Sequence, residues 1–166
     1  MSNIFILNAS PIILLGKAGL LKTISPLADK WIVPEKVVAE VEVKRSVAPY
    51  LAELSVSSRV FNKSTKQTHP SIASWNLGPG ESEVLTLGMQ TTGASVVLDD
   101  LLARKCALLF DIPLIGSIGL LVKAKRTGHI KLVRPEIEKL VNAGMRIDTD
   151  LLHDIYLKIG ENNDES

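Results

Sequence analysis

Four short apolar runs punctuate the chain: Ile4-Phe5-Ile6-Leu7, Trp31-Ile32-Val33, Ala94 to Leu98, and Ile112-Pro113-Leu114-Ile115. The runs are continuous rather than alternating, which is the pattern of strands buried on both faces of a parallel sheet. Helical segments are predicted between and after them. Ser10-Pro11 reads as a helix start, with Ser as N-cap and Pro at the first helical position, leading a helix from Ile12 to about Ala18. Pro34 opens a second helix through about Lys44. Gly78-Pro79-Gly80 breaks the chain before a helix from Glu81 to about Gln90. Further helices are predicted through Arg104 to Phe110, over Gly116 to Arg126, over Pro135 to Asn142, and over Asp148 to Ile159, the last capped by Asp148 or Thr149. From Val56 to Leu77 the pattern weakens, and the polar run Lys63 to Thr68 reads as a surface excursion. The strand–helix repetition predicts a mainly parallel sheet with helices on both faces. It places one domain over residues 1–160 and leaves 161–166 as a polar, acidic, frayed tail.

Composition supports an aliphatic core. Hydrophobic residues are 46% of the 166, but aromatics only 4%. That scarcity argues against a base-stacking platform of the RNA-recognition-motif or OB kind. A net charge of +1 gives no global field for nucleic acid, so any such contact must rest on a local patch, a metal, or both. The lone Cys106 cannot form an internal disulfide, which fits a reducing, cytoplasmic setting, and it reads as a small core residue. The apolar stretch Ile4 to Leu21 has no basic residue before it and is interrupted by Asn8, Ser10, Pro11 and Lys17, so it reads as strand and helix rather than signal peptide. No segment is long enough to be expected to span a membrane. Gly16-Lys17-Ala18-Gly19 lacks the upstream glycine and following Ser/Thr of a phosphate loop. His69, His129 and His153 have no metal-ligand spacing.

Sites in parallel sheets form at the carboxyl ends of strands. Asn8 ends the first predicted strand, Asp99-Asp100 end the third, and Glu81 opens the helix before it. At about 100° per residue, Glu81 falls inside the arc of Val84, Leu85, Leu87 and Met89, whereas Glu83 falls outside it. A carboxylate on an apolar face needs a reason. Either a bound cation supplies it, or Glu81 is a first-turn acid stabilised by the helix dipole. Glu40 flanks the Val37–Val38–Val41 stripe and alone would read as solvated. Asp99-Asp100 alone would read as a turn and N-cap.

Taken in order, five segments resemble a subgroup of the PIN-domain family. Leu7-Asn8-Ala9-Ser10-Pro11-Ile12 resembles its opening Asp-Thr-Ser-Pro-Leu-Ile, and Val33-Pro34-Glu35 to Glu40-Val41 its Pro-initiated helix with a glutamate. Gly80-Glu81-Ser82-Glu83-Val84 resembles its Gly-Glu-x-Glu-Ala segment, and Val97-Leu98-Asp99-Asp100 with Ala103-Arg104 its Leu-Asp-Asp-x-x-Ala-Arg segment. Ile115-Gly116-Ser117-Ile118-Gly119-Leu120-Leu121 with Lys123-Ala124-Lys125 resembles its Gly-Thr-Leu-Gly-Leu-Leu-x-x-Ala-Lys stretch. The resemblance implies a three-layer α/β/α fold and a hydrolase: a Mg²⁺- or Mn²⁺-dependent endoribonuclease acting on single-stranded RNA. Many relatives are VapC-like toxins with an antitoxin partner, and relatives of this fold commonly form homodimers. By position the metal set is Asn8, Glu40, Glu81 or Glu83, and Asp99 or Asp100, with Glu40, Glu81 and Asp100 catalytic. The implied chemistry is metal-assisted hydrolysis without a covalent intermediate. Ser10, Arg104, Lys123, Lys125 and Arg126 are the RNA-contact candidates, although by pattern alone the basic residues read first as a solvated helix face. The small-residue start Gly116 to Val122 could be core or a dimer seam.

One departure stands out. Asn8 replaces the family's aspartate, and an amide oxygen can ligate a cation but carries no charge and is a poor base. Weak metal affinity and slow or absent cleavage are therefore expected. A catalytically inactive RNA-binding protein and a protein-interaction module are the alternative readings.

Overall fold

The computed structural model describes residues 3–161. Its strands are β1 (Ile4–Leu7), β2 (Lys30–Pro34), β3 (Arg59–Lys63), β4 (Ala94–Val97) and β5 (Leu114–Ile115). They form one sheet in the order β3-β2-β1-β4-β5, and every pairing is parallel. Among the described residues ten α-helices flank the sheet: α1 (Ala9–Lys17), α2 (Leu21–Ile24), α3 (Glu35–Lys44), α4 (Ala48–Leu54), α5 (Pro70–Ala73), α6 (Pro79–Gln90), α7 (Leu101–Leu109), α8 (Ser117–Arg126), α9 (Arg134–Asn142) and α10 (Thr149–Ile159). The arrangement is the expected three-layer α/β/α fold with a parallel sheet. No helix among the described residues is long and apolar enough to cross a membrane.

The core follows from the apolar runs. Ile6, Leu7, Trp31, Ile32, Val33, Val96 and Val97 are buried in the sheet interior, and Cys106 is buried with them. Trp31 donates its indole N–H to the Ser25 carbonyl at 3.0 Å and stacks on Phe5 with ring centroids 5.3 Å apart. Burial of a large ring is stable here because its one polar atom is satisfied.

Several sequence expectations need correction. Ser10 is not an N-cap: α1 begins at Ala9, Asn8 holds the cap position, and Ser10 is an exposed residue of the first turn. The excursion after Val56 contains β3, an edge strand whose residues are mostly exposed and so lack an apolar signature. The start of α8 is core rather than a free seam, because Ser117, Leu120, Leu121 and Ala124 are all buried. Glu161, assigned to a frayed tail, is anchored. Its carboxylate accepts from Lys125 Nζ at 2.7 Å and from the backbone N–H groups of Val133 and Arg134. Residues 162–166 lie outside the described residues.

The strand order reverses direction at β1. The chain runs β1, β2, β3 to one side and then returns to place β4 and β5 on the other. Crevices outside the carboxyl ends of strands at such a switch point are the usual ligand sites of open α/β sheets.

Candidate functional site

Asn8 leaves β1 at this switch. Its backbone N–H donates to Val97 O of β4 at 3.2 Å, which holds it between the two central strands. The residue is 3% exposed, and its Oδ1 accepts no hydrogen bond from any described residue. A buried carbonyl left unpaired in this way costs about 1–3 kcal/mol. Around it, α3 contributes Glu40, the first turn of α6 contributes Glu81, and the end of β4 contributes Asp99 and Asp100. These four acids line one cleft of about 1030 Å³. α3 and α6 pack against each other with Gly80 beside Glu40: a Cβ there would stand 2.6 Å from Glu40 Oε2 and 3.8 Å from Asn8 Oδ1.

The acids are not equivalent. Burial, then the Asp100 charge and then Glu40, pushes the Glu81 carboxyl above its usual range, offset in part by hydrogen bonds from the Gly78 backbone and the Asn8 side chain. Asp100 uses Oδ2 to cap α7, accepting from Ala103 N–H at 2.9 Å, and also lines the cleft. Asp99 uses both oxygens on Ser117, accepting from N–H at 2.8 Å and from Oγ at 2.5 Å, so it fastens the start of α8 to the end of β4.

Glu83 is not brought to the cleft. It is 1% exposed and accepts from Lys36 N–H at 3.0 Å and from Thr65 N–H and Oγ1 at 3.3 and 3.4 Å. It therefore satisfies the start of α3, where a carboxylate also complements the helix dipole. The helical-arc argument ordered the pair by the wrong criterion. α6 is buried from Ser82 through Gly88, so it has no solvent face on which Glu83 could lie.

The basic candidates divide likewise. Ser10 and Arg104 line the cleft, and Arg104 Nη1 donates to Leu98 O at 2.8 Å. Lys123, Lys125 and Arg126 do not line it. The cleft meets α8 at Ile118 and Gly119, so these cations sit at the far end of a helix about 15 Å long. Lys125 is engaged with Glu161, and Lys123 lies over the Phe5 ring, 5.1 Å from its centroid. Three cations that sequence reasoning missed line the cleft instead: Lys17, Lys44 and Arg146. Two were legible. Ser10, Ile13, Leu14 and Lys17 follow i, i+3, i+4, i+7 spacing and share one face of α1, and Lys44 is four residues after Glu40. Arg146, between α9 and α10, had no such signal.

The donor set suits a hard divalent cation: an unpaired amide oxygen and carboxylates from three separate elements. Among the described residues no three acid, imidazole or thiol groups form a ready-made cage.

Fold and crevice together define the class: a parallel α/β domain with carboxylates and a buried amide gathered at its switch point. The family model described as a PIN domain (DUF3368) matches residues 4–161, and the chain belongs to that family. A comparison with curated proteins gives no match. PIN domains have a nuclease-like fold and generally use divalent metal ions, and membership points to nucleic-acid binding.

Proposed function

We propose that this protein is a Mg²⁺- or Mn²⁺-dependent endoribonuclease of single-stranded RNA whose activity is attenuated by Asn8. The observation that carries the reading is the buried Asn8 Oδ1, unpaired by any described residue, beside Gly80 and the Glu40 carboxylate at the edge of a cleft lined by Glu40, Glu81 and Asp100. Asn8, Glu40, Glu81 and Asp100 would hold the ion. When bound, it supplies Lewis acidity and offsets charge on the scissile phosphate.

The chain's own groups do the rest. Lys17, Lys44, Arg104 and Arg146 line the same cleft and can hold flanking phosphates. Glu81, beside Asp100 and Glu40 in the same cleft, would share in holding the ion and its bound water. Ile13, Leu14, Ile118 and Met145 offer an aliphatic surface for bases. Asp99 fixes the end of β4, so that Asp100 presents from a rigid turn.

The test is Mn²⁺ titration by calorimetry, paired with cleavage of an end-labelled single-stranded RNA. Weak Mn²⁺ binding with slow, chelator-sensitive cleavage is expected. Cleavage that survives chelator sinks the proposal. RNA binding without any cleavage favours the second reading, a non-catalytic RNA-binding protein, for which the uncharged Asn8 is the specific argument. A toxin role with an antitoxin partner, a cytoplasmic location and homodimer formation belong to the same proposal. For dimer formation, α7 offers an outward face with Leu101, Leu102, Leu108 and Leu109 exposed. Sedimentation of a Leu101→Glu/Leu108→Glu variant tests it, and an unchanged dimer rules out that face.

A further inference from the structure

Gly80 sits at the second position of α6, in its first turn. Glycine disfavours helix relative to alanine, and Gly80 is not among the glycines with positive φ. Local backbone geometry therefore gives no reason for it, whereas its surroundings do. An added Cβ would meet Val37 Cγ2 at 3.4 Å and Asn8 Oδ1 at 3.8 Å, both ordinary contacts, but would stand 2.6 Å from Glu40 Oε2. The single collision is with the tip of a carboxylate on an exposed, flexible side chain, not with backbone or core.

We propose that Gly80 is a positioning residue: its missing side chain is the space through which the Glu40 carboxylate leans across α6 toward Asn8 and Glu81. This rests on the cation-site reading given above. With a methyl group in that space, Glu40 swings out into the cleft at little structural cost while the acidic set loses one member. Gly116 provides the contrast. A Cβ there would press on Arg104 Nη1 at 2.9 Å and Asp99 Oδ1 at 3.1 Å. Both groups are fixed, Arg104 on Leu98 O and Asp99 on Ser117, so neither can yield freely. One glycine guards the position of a ligand and the other guards the fold.

The experiment uses the full chain as wild type, Gly80→Ala, Glu40→Asp and the double variant. Metal-free melting temperature and Mn²⁺ affinity by calorimetry are read for each. Gly80→Ala is expected to melt at or above the wild-type temperature without metal and to bind Mn²⁺ about tenfold or more weakly. Glu40→Asp is expected to weaken binding in the wild type but to add little in the Gly80→Ala background, because the carboxylate is already displaced. A wild type that takes up no Mn²⁺ overturns the cation-site reading and this inference together. A wild type that binds, with Gly80→Ala binding equally well or the two effects adding in full, overturns this inference alone. A Gly80→Ala protein that melts earlier than wild type, or does not fold, also counts against it.

Discussion

Replacing Asn8 by aspartate would place a further carboxylate beside Glu40, Glu81 and Asp100. Without metal, like charges in a partly desolvated cluster repel, and Asn8→Asp should lose about 1–2 kcal/mol of stability. With Mn²⁺ the order should invert, the variant binding more tightly and cleaving faster than wild type. Melting curves with chelator and with Mn²⁺ check the crossing, and an unchanged cleavage rate would speak against attenuation by the amide. Glu81 adds a pH signature. Its folded pKa lies above the ordinary 4.5, so the folded chain holds this proton more tightly than the unfolded one. Its contribution to metal-free stability is therefore full below about 4.5 and is lost as pH rises through the folded value. Glu81→Gln should remove that decline when melting temperature is followed across the carboxylate range in chelator.

Within α6 the two glutamates two residues apart carry out different tasks, and substitution should separate them. Glu83→Ala strands the Lys36 and Thr65 donors and should cost about 1–3 kcal/mol by urea unfolding, while leaving Mn²⁺ affinity near wild type. Glu81→Gln should do the reverse. This element also shows where sequence reading stopped. β1, β2, β4 and their following helices were legible because buried parallel strands are mostly apolar, although two starts were misplaced: α1 begins at Ala9 rather than at Ser10-Pro11, and α6 at Pro79 rather than Glu81. Asn8, Glu40, the Glu81/Glu83 pair and the Asp99/Asp100 pair were reached as candidates from strand ends and motif order, and all but Asn8 and Glu83 line the cleft. The Glu81 and Glu83 assignment was not legible from periodicity, because a helix buried almost all round has no polar face to orient it. β3 escaped because an exposed edge strand leaves no apolar run, and Arg146 escaped because only tertiary folding carries its loop to the cleft.

Across the whole molecule, +1 of net charge conceals a local arrangement in which cations from α1, α3, α7 and the segment before α10 border an acidic centre. Single-stranded RNA binding in chelator should weaken with salt. Each of Lys17→Gln, Lys44→Gln and Arg146→Gln should lower the slope of log K against log salt by about 0.7, whereas Lys123→Gln should not. Glu161 acts at the opposite sign from Glu81. Burial alone would raise its pKa, but hydrogen bonds from Lys125, Arg134 and Val133 outweigh it and hold the carboxyl below its ordinary value. It thus contributes stability above about 4.5 that is lost as pH falls through the folded pKa, and Glu161→Gln should show a shallower acid unfolding curve.

The central position of β1 also bears on time. Ile4 pairs with Lys30 on one side and with Ala94 on the other. A chain made at about 5–20 residues per second can form the first pairing several seconds before the second partner exists. During that interval one edge of β1 stays open, an exposed edge of the kind that invites misassembly. Glu40, Glu81 and Asp100 come together only when β4 docks, and the Met145 to Ile155 wall arrives later still. A nascent chain therefore carries scattered carboxylates and no working cleft until its last helices are made.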